Sequence, residues 1–199
     1  MSLEAKGAVP PPGSWKDWHI PYGSDALTLR AARDSLTALG GRQEDVPLMV
    51  QIVENPRFDL PGFDLFHGAV DLATHDCIHI LLGRGLLPMD EAFTIGFTMG
   101  STDKVGALEE RLYALISKHL YPKSYRFGEE DLRVFKDAVR LGYISDCQPL
   151  DKVDYRKLMD RPIRDVRREI GIEGDLILAY YRIEKLRYPD SRASQRLLG

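Results

Sequence analysis

Apolar residues recur along most of this chain at spacings of three and four, and this pattern constrains the fold more than any other feature of the sequence. Residues three and four apart lie on one face of an α-helix, so each run predicts a helix with a buried face. Proline and glycine fall between the runs, where helices end. The sequence therefore predicts an all-α, single-domain helical bundle of about six to eight helices. The runs lie at 24–39, 64–82, 88–100, 105–120, 129–141, 161–170 and 174–187. Ser24 is predicted to cap the first of these helices.

The sequence also predicts where this bundle begins and ends. A chain of 199 residues is long enough for one substantial core. Residues 1–14 contain three consecutive prolines and lack the apolar core of a signal peptide, so we predict a flexible N-terminal segment. The helical domain is predicted to span 15–187, and the polar residues 188–199 to form a flexible tail. The stretch 46–53 fits either a short helix or one strand.

Composition excludes several classes of protein. No segment approaches eighteen consecutive apolar residues, so we predict no membrane span. The net charge of -3 gives no reason to expect nucleic acid as a partner. The two cysteines, Cys77 and Cys147, do not form a disulfide scaffold and fit a reducing compartment, so we predict a cytoplasmic protein. A phosphate-binding loop, a nucleophile elbow and a dinucleotide fingerprint are absent from the sequence.

Four potential metal ligands lie close together on the second and third of these predicted helices. His75 and His79 are four residues apart and project from one face of a helix, with Asp76 in the same arc. Glu91 follows a turn containing glycine and proline, which can set it opposite the histidines. Two neutral imidazoles with one or two carboxylates form a ligand set for zinc, iron or manganese. A buried hydrogen-bonded network is the alternative, because polar side chains on an apolar helix need partners.

Two further polar residues extend this stripe towards the N-terminus. His67 and Asp71 precede His75 at successive spacings of four, so they share its helix face. Asp71 can accept the proton of the imidazole nitrogen that does not face the metal. We therefore predict that His67 and Asp71 lie behind the ligands and orient them.

The spacing of these residues resembles a known signature. His-Asp-x-x-His, then eleven residues, then Glu is similar to the signature of the coenzyme Q biosynthesis protein 4 family, and 158–172 is similar to that family's basic C-terminal segment. The resemblance covers roughly 58–172. It implies that His75, Asp76, His79 and Glu91 all bind one divalent metal, zinc or iron. It also implies a role in ubiquinone biosynthesis, namely oxidative decarboxylation of a polyprenylated aromatic ring within a membrane-associated quinone-biosynthesis complex.

Bulky apolar side chains flank the predicted ligands. Phe63 and Phe66 precede the histidines, and Phe93, Phe97 and Met99 follow Glu91. Such side chains commonly fill the core of a bundle. The resembling family, however, handles substrates with a polyprenyl tail. We therefore predict a channel between the two motif helices for a prenylated aromatic or other lipid-like ligand.

Two other functions stay open at this point. One is a non-enzymatic prenyl-lipid-binding or scaffold protein with a structural metal, which a closed four-ligand site would favour. The other is an HD-type metal phosphohydrolase. That superfamily is also all-α, and the pattern of His67 followed by His75 and Asp76 resembles its motif.

A basic segment lies downstream of the motif helices. Acidic residues alternate with its cations, so we predict a solvated helix face with local ion pairs. The alternative is contact with a partner protein or with anionic lipid at the inner face of a membrane. The cations are Arg156, Lys157, Arg161, Arg164, Arg167 and Arg168.

Overall fold

Helices make up most of the residues that the computed structural model describes, which are 15–38, 72–102 and 127–198. Seven α-helices and three single 3-10 turns lie in these ranges, which contain no β-strand. The prediction of an all-α bundle is therefore confirmed. The α-helices are α1 (Leu29–Thr37), α2 (Leu72–Leu82), α3 (Pro88–Gly100), α4 (Glu129–Ile144), α5 (Ile163–Ile170), α6 (Gly174–Arg187) and α7 (Arg192–Gln195), and the turns are Trp15–Asp17, Leu150–Lys152 and Tyr155–Lys157.

The first helix begins later than its sequence predicts. Ser24 was expected to cap it, but α1 starts at Leu29 and its cap is Thr28, whose side chain accepts a hydrogen bond from the Ala31 amide at 3.2 Å. Both residue types cap helices well. The backbone amide of Leu29 donates to Arg161, so a contact distant in the sequence fixes the start of this helix. The prediction of Ser24 as the cap is wrong for this reason.

Several predicted elements fall outside the residues that the structure describes. They are the N-terminal segment 1–14, the stretch 46–53, the start of the motif helix at 64–71 and the helix at 105–120. Within the described ranges, no helix combines the length and apolar character needed to cross a membrane.

Helix α3 is the centre of the described bundle. All of its residues except Pro88 and Met99 are buried. Its closest neighbour is α4, and the two backbones approach through Gly96, Gly100 and Gly142. A side-chain carbon at any of the three would overlap a carbonyl oxygen of the other helix. Small residues therefore allow the contact that holds α3 in place.

Replacing Gly100 by alanine is expected to lower the free energy of unfolding by about 1–3 kcal/mol, because an added methyl group must push α3 away from α4 at Val139. Urea denaturation would measure this loss. Gly23→Ala is the matched control, since an added carbon there meets nothing within 4 Å, and we expect a change below about 0.5 kcal/mol. Equal urea midpoints for the two variants would contradict the close helix contact.

The C-terminal residues differ from the flexible tail that their polar sequence predicts. Residues 188–198 include the short helix α7, and Ala193, Ser194 and Leu197 are buried. The Ser194 hydroxyl donates to the Glu184 carboxylate at 3.0 Å. Arg196 pairs with the buried carboxylate of Asp90. Polar residues in this segment thus form interior contacts, which their composition alone does not reveal.

Candidate metal centre

Three of the predicted ligands meet in the interior of the bundle. His75 and His79 from α2 and Glu91 from α3 are each no more than 3% exposed. The His75 Nε2 atom lies 2.9 Å from His79 Nε2 and 3.1 Å from Glu91 Oε2, and the third separation is 3.4 Å. Metal–ligand bonds of about 2.0–2.2 Å, at angles between about 90° and 109°, place neighbouring ligand atoms about 2.8–3.6 Å apart. The three atoms could therefore hold one metal ion together.

The turn between α2 and α3 determines where Glu91 lies. Gly83 takes a φ of 65°, a left-handed conformation that favours glycine, and the next amide, of Arg84, donates to the His79 carbonyl. Helix α3 then begins at Pro88, and its Asp90 carboxylate accepts from the Leu87 amide at 3.1 Å. Glu91 consequently lies in the first turn of α3 and faces the histidines.

Buried side chains from other helices hold the end of α2. The Arg167 guanidinium donates to the carbonyls of Leu81 at 2.8 Å and Ile80 at 3.4 Å, and the Tyr181 hydroxyl donates to that of Leu82. The last carbonyls of a helix have no partner within it, so these donors stabilise the end that carries His79. The position of the histidines thus depends on α5 and α6.

One prediction about the basic segment is wrong for Arg167. It was expected on a solvated face, but it is only 5% exposed because it caps α2. The other five cations are at least 41% exposed at their side chains and pair with nearby acids, as the sequence predicts. Those acids are Asp154, Asp165 and Glu169.

The electrostatics of the site are those of a buried ion pair between the imidazoles and the Glu91 carboxylate. Burial alone would raise the pKa of Glu91, but the two imidazoles, His79 foremost, hold it below its usual range. Burial alone would lower the pKa of His79, and the carboxylate of Glu91 raises it instead. Each shift favours the charged form of its group, so negative charge from Glu91 is available to a cation at this position.

Thr94 contacts the far side of one imidazole. Its hydroxyl oxygen lies 3.3 Å from His79 Nδ1, and the residue is fully buried on α3. If Nε2 offers its lone pair to a metal, Nδ1 carries the hydrogen and can donate it to Thr94. Such a partner fixes the tautomer and the ring orientation of a ligating histidine.

Asp76 lies apart from these three ligands. Its carboxylate is 3.6 Å from the Arg33 guanidinium of α1. Burial raises the pKa of Asp76 above its usual range, although His75, His79 and Arg33 oppose the shift. The structure therefore brings together three of the four residues that the family resemblance implies as ligands, and it places the fourth beside a cation.

The other predicted site residues divide into two groups. Phe63, Phe66, His67 and Asp71 lie outside the described residues. Phe93 and Phe97 are fully buried on the side of α3 away from Glu91, with ring centroids 6.0 Å apart, and Met99 packs partly buried against the same core. Phe93 also stacks on Tyr180. These contacts place Phe93 and Phe97 in the core, and the predicted channel between the motif helices stays a prediction.

Sequence reasoning missed a buried ion pair beside the site. Arg84, directly after the α2 turn, is fully buried and donates to both carboxylate oxygens of Glu184 on α6, at 2.9 and 2.6 Å. Its Nε donates to the Tyr181 hydroxyl, and its guanidinium lies 3.8 Å from the centre of the Phe93 ring. A lone arginine within an apolar stretch was the available signal, but nothing in the sequence named its partner.

Comparisons with known proteins found no match to this chain. No protein-family model matches the chain. No curated protein and no solved structure gives a significant match either. The case for a metal centre therefore depends on the geometry of His75, His79 and Glu91 and on the spacing of the motif.

Proposed function

We propose that the protein binds one divalent metal ion through His75 Nε2, His79 Nε2 and Glu91 Oε2. The convergence of these three buried atoms within 3.4 Å of one another is the observation that supports the proposal. A hydrogen-bonded network is the alternative. It is less satisfactory here, because two imidazole nitrogens and a carboxylate oxygen facing one another can be joined by few hydrogens, whereas a metal ion binds all three lone pairs at once.

The three ligands found among the described residues favour a catalytic metal over a structural one. Structural zinc sites are closed by four protein ligands, whereas catalytic sites use three and leave a position open. Two histidines and one carboxylate are such a set for zinc, and also for the iron of oxygenases. When bound, zinc would supply Lewis acidity, and iron would supply dioxygen chemistry. Asp76 is engaged by Arg33 and adds no fourth ligand in this arrangement.

We further propose that this metal serves a step of quinone biosynthesis. The proposal rests on the resemblance of His75, Asp76, His79 and Glu91 in their spacing to the coenzyme Q biosynthesis protein 4 family. The step implied is oxidative decarboxylation of a polyprenylated aromatic ring. The convergent His-His-Glu group supports the metal that such a step needs.

Metal analysis of protein purified without added metal tests the first proposal. We expect about one equivalent of zinc or iron per chain, and less than about a tenth of that in His79→Ala and Glu91→Gln, because each loses a ligand. His19→Gln is the control, since His19 contacts the Gly83 carbonyl and lies outside the group. Full metal content in all three variants would place the site elsewhere.

Release of carbon dioxide from a prenylated hydroxybenzoate tests the second proposal. Zinc- and iron-loaded protein would each be incubated with the substrate in detergent under air. We expect release with one metal and its loss in His79→Ala. Metal-loaded protein that releases none with either ion would contradict the quinone assignment and leave the metal site intact as a proposal.

Thr94→Val is expected to weaken zinc binding by about tenfold or more, because Nδ1 of His79 loses the acceptor that fixes its tautomer. Competition with a chelating dye would measure the affinity. Thr98→Val is the matched control, since the Thr98 hydroxyl donates to the Thr94 backbone carbonyl and forms no hydrogen bond with either histidine in the described structure. Equal affinities for the two variants would remove Thr94 from the site.

A further inference from the structure

We propose that a second pocket, distinct from the metal centre, binds a small molecule through an oxyanion group, a phosphate or a carboxylate. The pocket lies between α1, the start of α2 and the segment 151–159, and its volume is about 640 Å³. Sites for small molecules commonly fall within about 300–1,000 Å³. The inference does not depend on a metal at His75 and His79.

The pocket faces away from the histidines. Ala73, Thr74 and Cys77 are the residues of α2 that line it. At 100° per residue, these three positions centre on the face of the helix opposite to His75 and His79. A ligand in this pocket would therefore be separated from the proposed metal by the body of α2.

Arg33 is the residue that most clearly needs a ligand. Its side chain is 31% exposed, and its Nε atom lies 3.6 Å from Asp76 Oδ2, an ion pair too long for a hydrogen bond. Among the described residues this buried Nε atom has no hydrogen-bond partner. A guanidinium carries five donors in a fork that matches two oxygens of a carboxylate or phosphate. An oxyanion in the pocket would supply hydrogen-bond acceptors to this guanidinium beside its ion pair with Asp76.

The other charges of the lining make an anion the expected ligand. Arg30 already donates two hydrogen bonds to the Asp160 carboxylate, and Arg156 is paired with Asp154. Lys152 is exposed and has no ion pair in the described part of the chain. Because Lys152 and Arg33 line the same pocket, we infer that both contribute positive charge to one bound oxyanion.

Asp151 restricts the ligand further. It also lines the pocket, and its Oδ1 atom is buried without a hydrogen-bond partner. The Asp151 carboxylate would repel a bare anion, so the ligand should also carry a hydrogen-bond donor for this side chain. A hydroxyl or amine beside the phosphate or carboxylate meets that need. The geometry thus points to a small hydroxylated or aminated acid or phosphate ester.

Isothermal titration with glycerol 3-phosphate and with lactate at about 0.15 M sodium chloride tests the proposal and distinguishes phosphate from carboxylate as the source of the oxyanion. We expect saturable binding of at least one of them. Arg33→Gln and Lys152→Gln should each weaken that binding by about tenfold or more, because charge-assisted hydrogen bonds are lost. Lys136→Gln, on the exposed face of α4 and outside the pocket lining, should leave the affinity unchanged.

Two results would overturn the proposal. One is the absence of saturable binding for both compounds up to about 20 mM, a concentration well above a millimolar dissociation constant. The other is binding that both Arg33→Gln and Lys152→Gln leave at the affinity of the unchanged protein. His79→Ala should bind like the unchanged protein, so failure of the metal site and failure of this pocket give separate results.

Discussion

Replacing Glu184 by glutamine is expected to lower the free energy of unfolding by about 3–5 kcal/mol, because it leaves the buried guanidinium of Arg84 without its counter-charge. Both side chains are fully buried, and both carboxylate oxygens accept hydrogen bonds from Arg84. Glutamine keeps the shape of the side chain but carries no charge. Its amide nitrogen also cannot accept one of the two hydrogen bonds from Arg84, so the experiment separates these polar interactions from the packing.

Arg84 cannot escape this cost by losing its proton. Burial alone would lower its pKa, but the carboxylate of Glu184 raises it above its usual range, so the guanidinium stays charged in the folded protein. Asp90 Oδ1, at 3.9 Å, is the next carboxylate, and Arg196 already occupies the other oxygen of Asp90. The loss of Glu184 is thus only weakly compensated by its surroundings.

Urea denaturation at neutral pH would measure the loss. Glu129→Gln is the matched control: its pair with Arg133 lies on the surface of α4, where the two side chains are 75% and 62% exposed, and we expect a change below about 1 kcal/mol. The double variant Arg84→Met with Glu184→Leu should recover much of the loss, because apolar groups can replace a buried pair. A Glu184→Gln protein with the unchanged urea midpoint would contradict this account.

Elements fixed by neighbouring residues were predictable from the sequence. Helix α3 begins at Pro88 and ends at Gly100, and α6 begins at Gly174, as the periodicity and its punctuation indicate. The approach of His75 and His79 follows from a spacing of four on one helix. The approach of Glu91 follows from a short turn with glycine and proline. These contacts depend on residues close together in the sequence, so local rules suffice.

Contacts between distant residues were not predictable in this way. Asp76 is paired with Arg33 on another helix, and the sequence pattern placed it among the ligands because only its own helix was considered. The sequence predicts that Arg167 is one of several exposed cations in a basic segment, whereas in the structure it donates to a carbonyl at the end of α2. A single sequence specifies which residues are polar, but the packing of helices decides which partners they find.

Adding zinc to the metal-free protein is expected to raise its free energy of unfolding by about 4 kcal/mol when free zinc is about 1,000 times its dissociation constant. For a chain of this size each 1 kcal/mol raises the melting temperature by about 2–4 °C. The gain arises because His75, His79 and Glu91 are brought together only in the folded chain. His79→Ala and Glu91→Gln should therefore lose most of the gain. Magnesium, which prefers oxygen ligands, is the control ion.

The pH dependence of this gain distinguishes a metal centre from a buried network. The pKa of His79 is raised above 6.5 by Glu91, so in the metal-free protein the pair contributes stability that is present below pH 6.5 and is lost as pH rises through the raised pKa. Zinc needs the unprotonated imidazole, so its contribution grows over the same pH range. In thermal melts from pH 6 to 8, the contribution of His79 to the melting temperature should thus fall as pH rises without zinc and increase as pH rises with zinc. Parallel slopes would mean that zinc does not bind at His79.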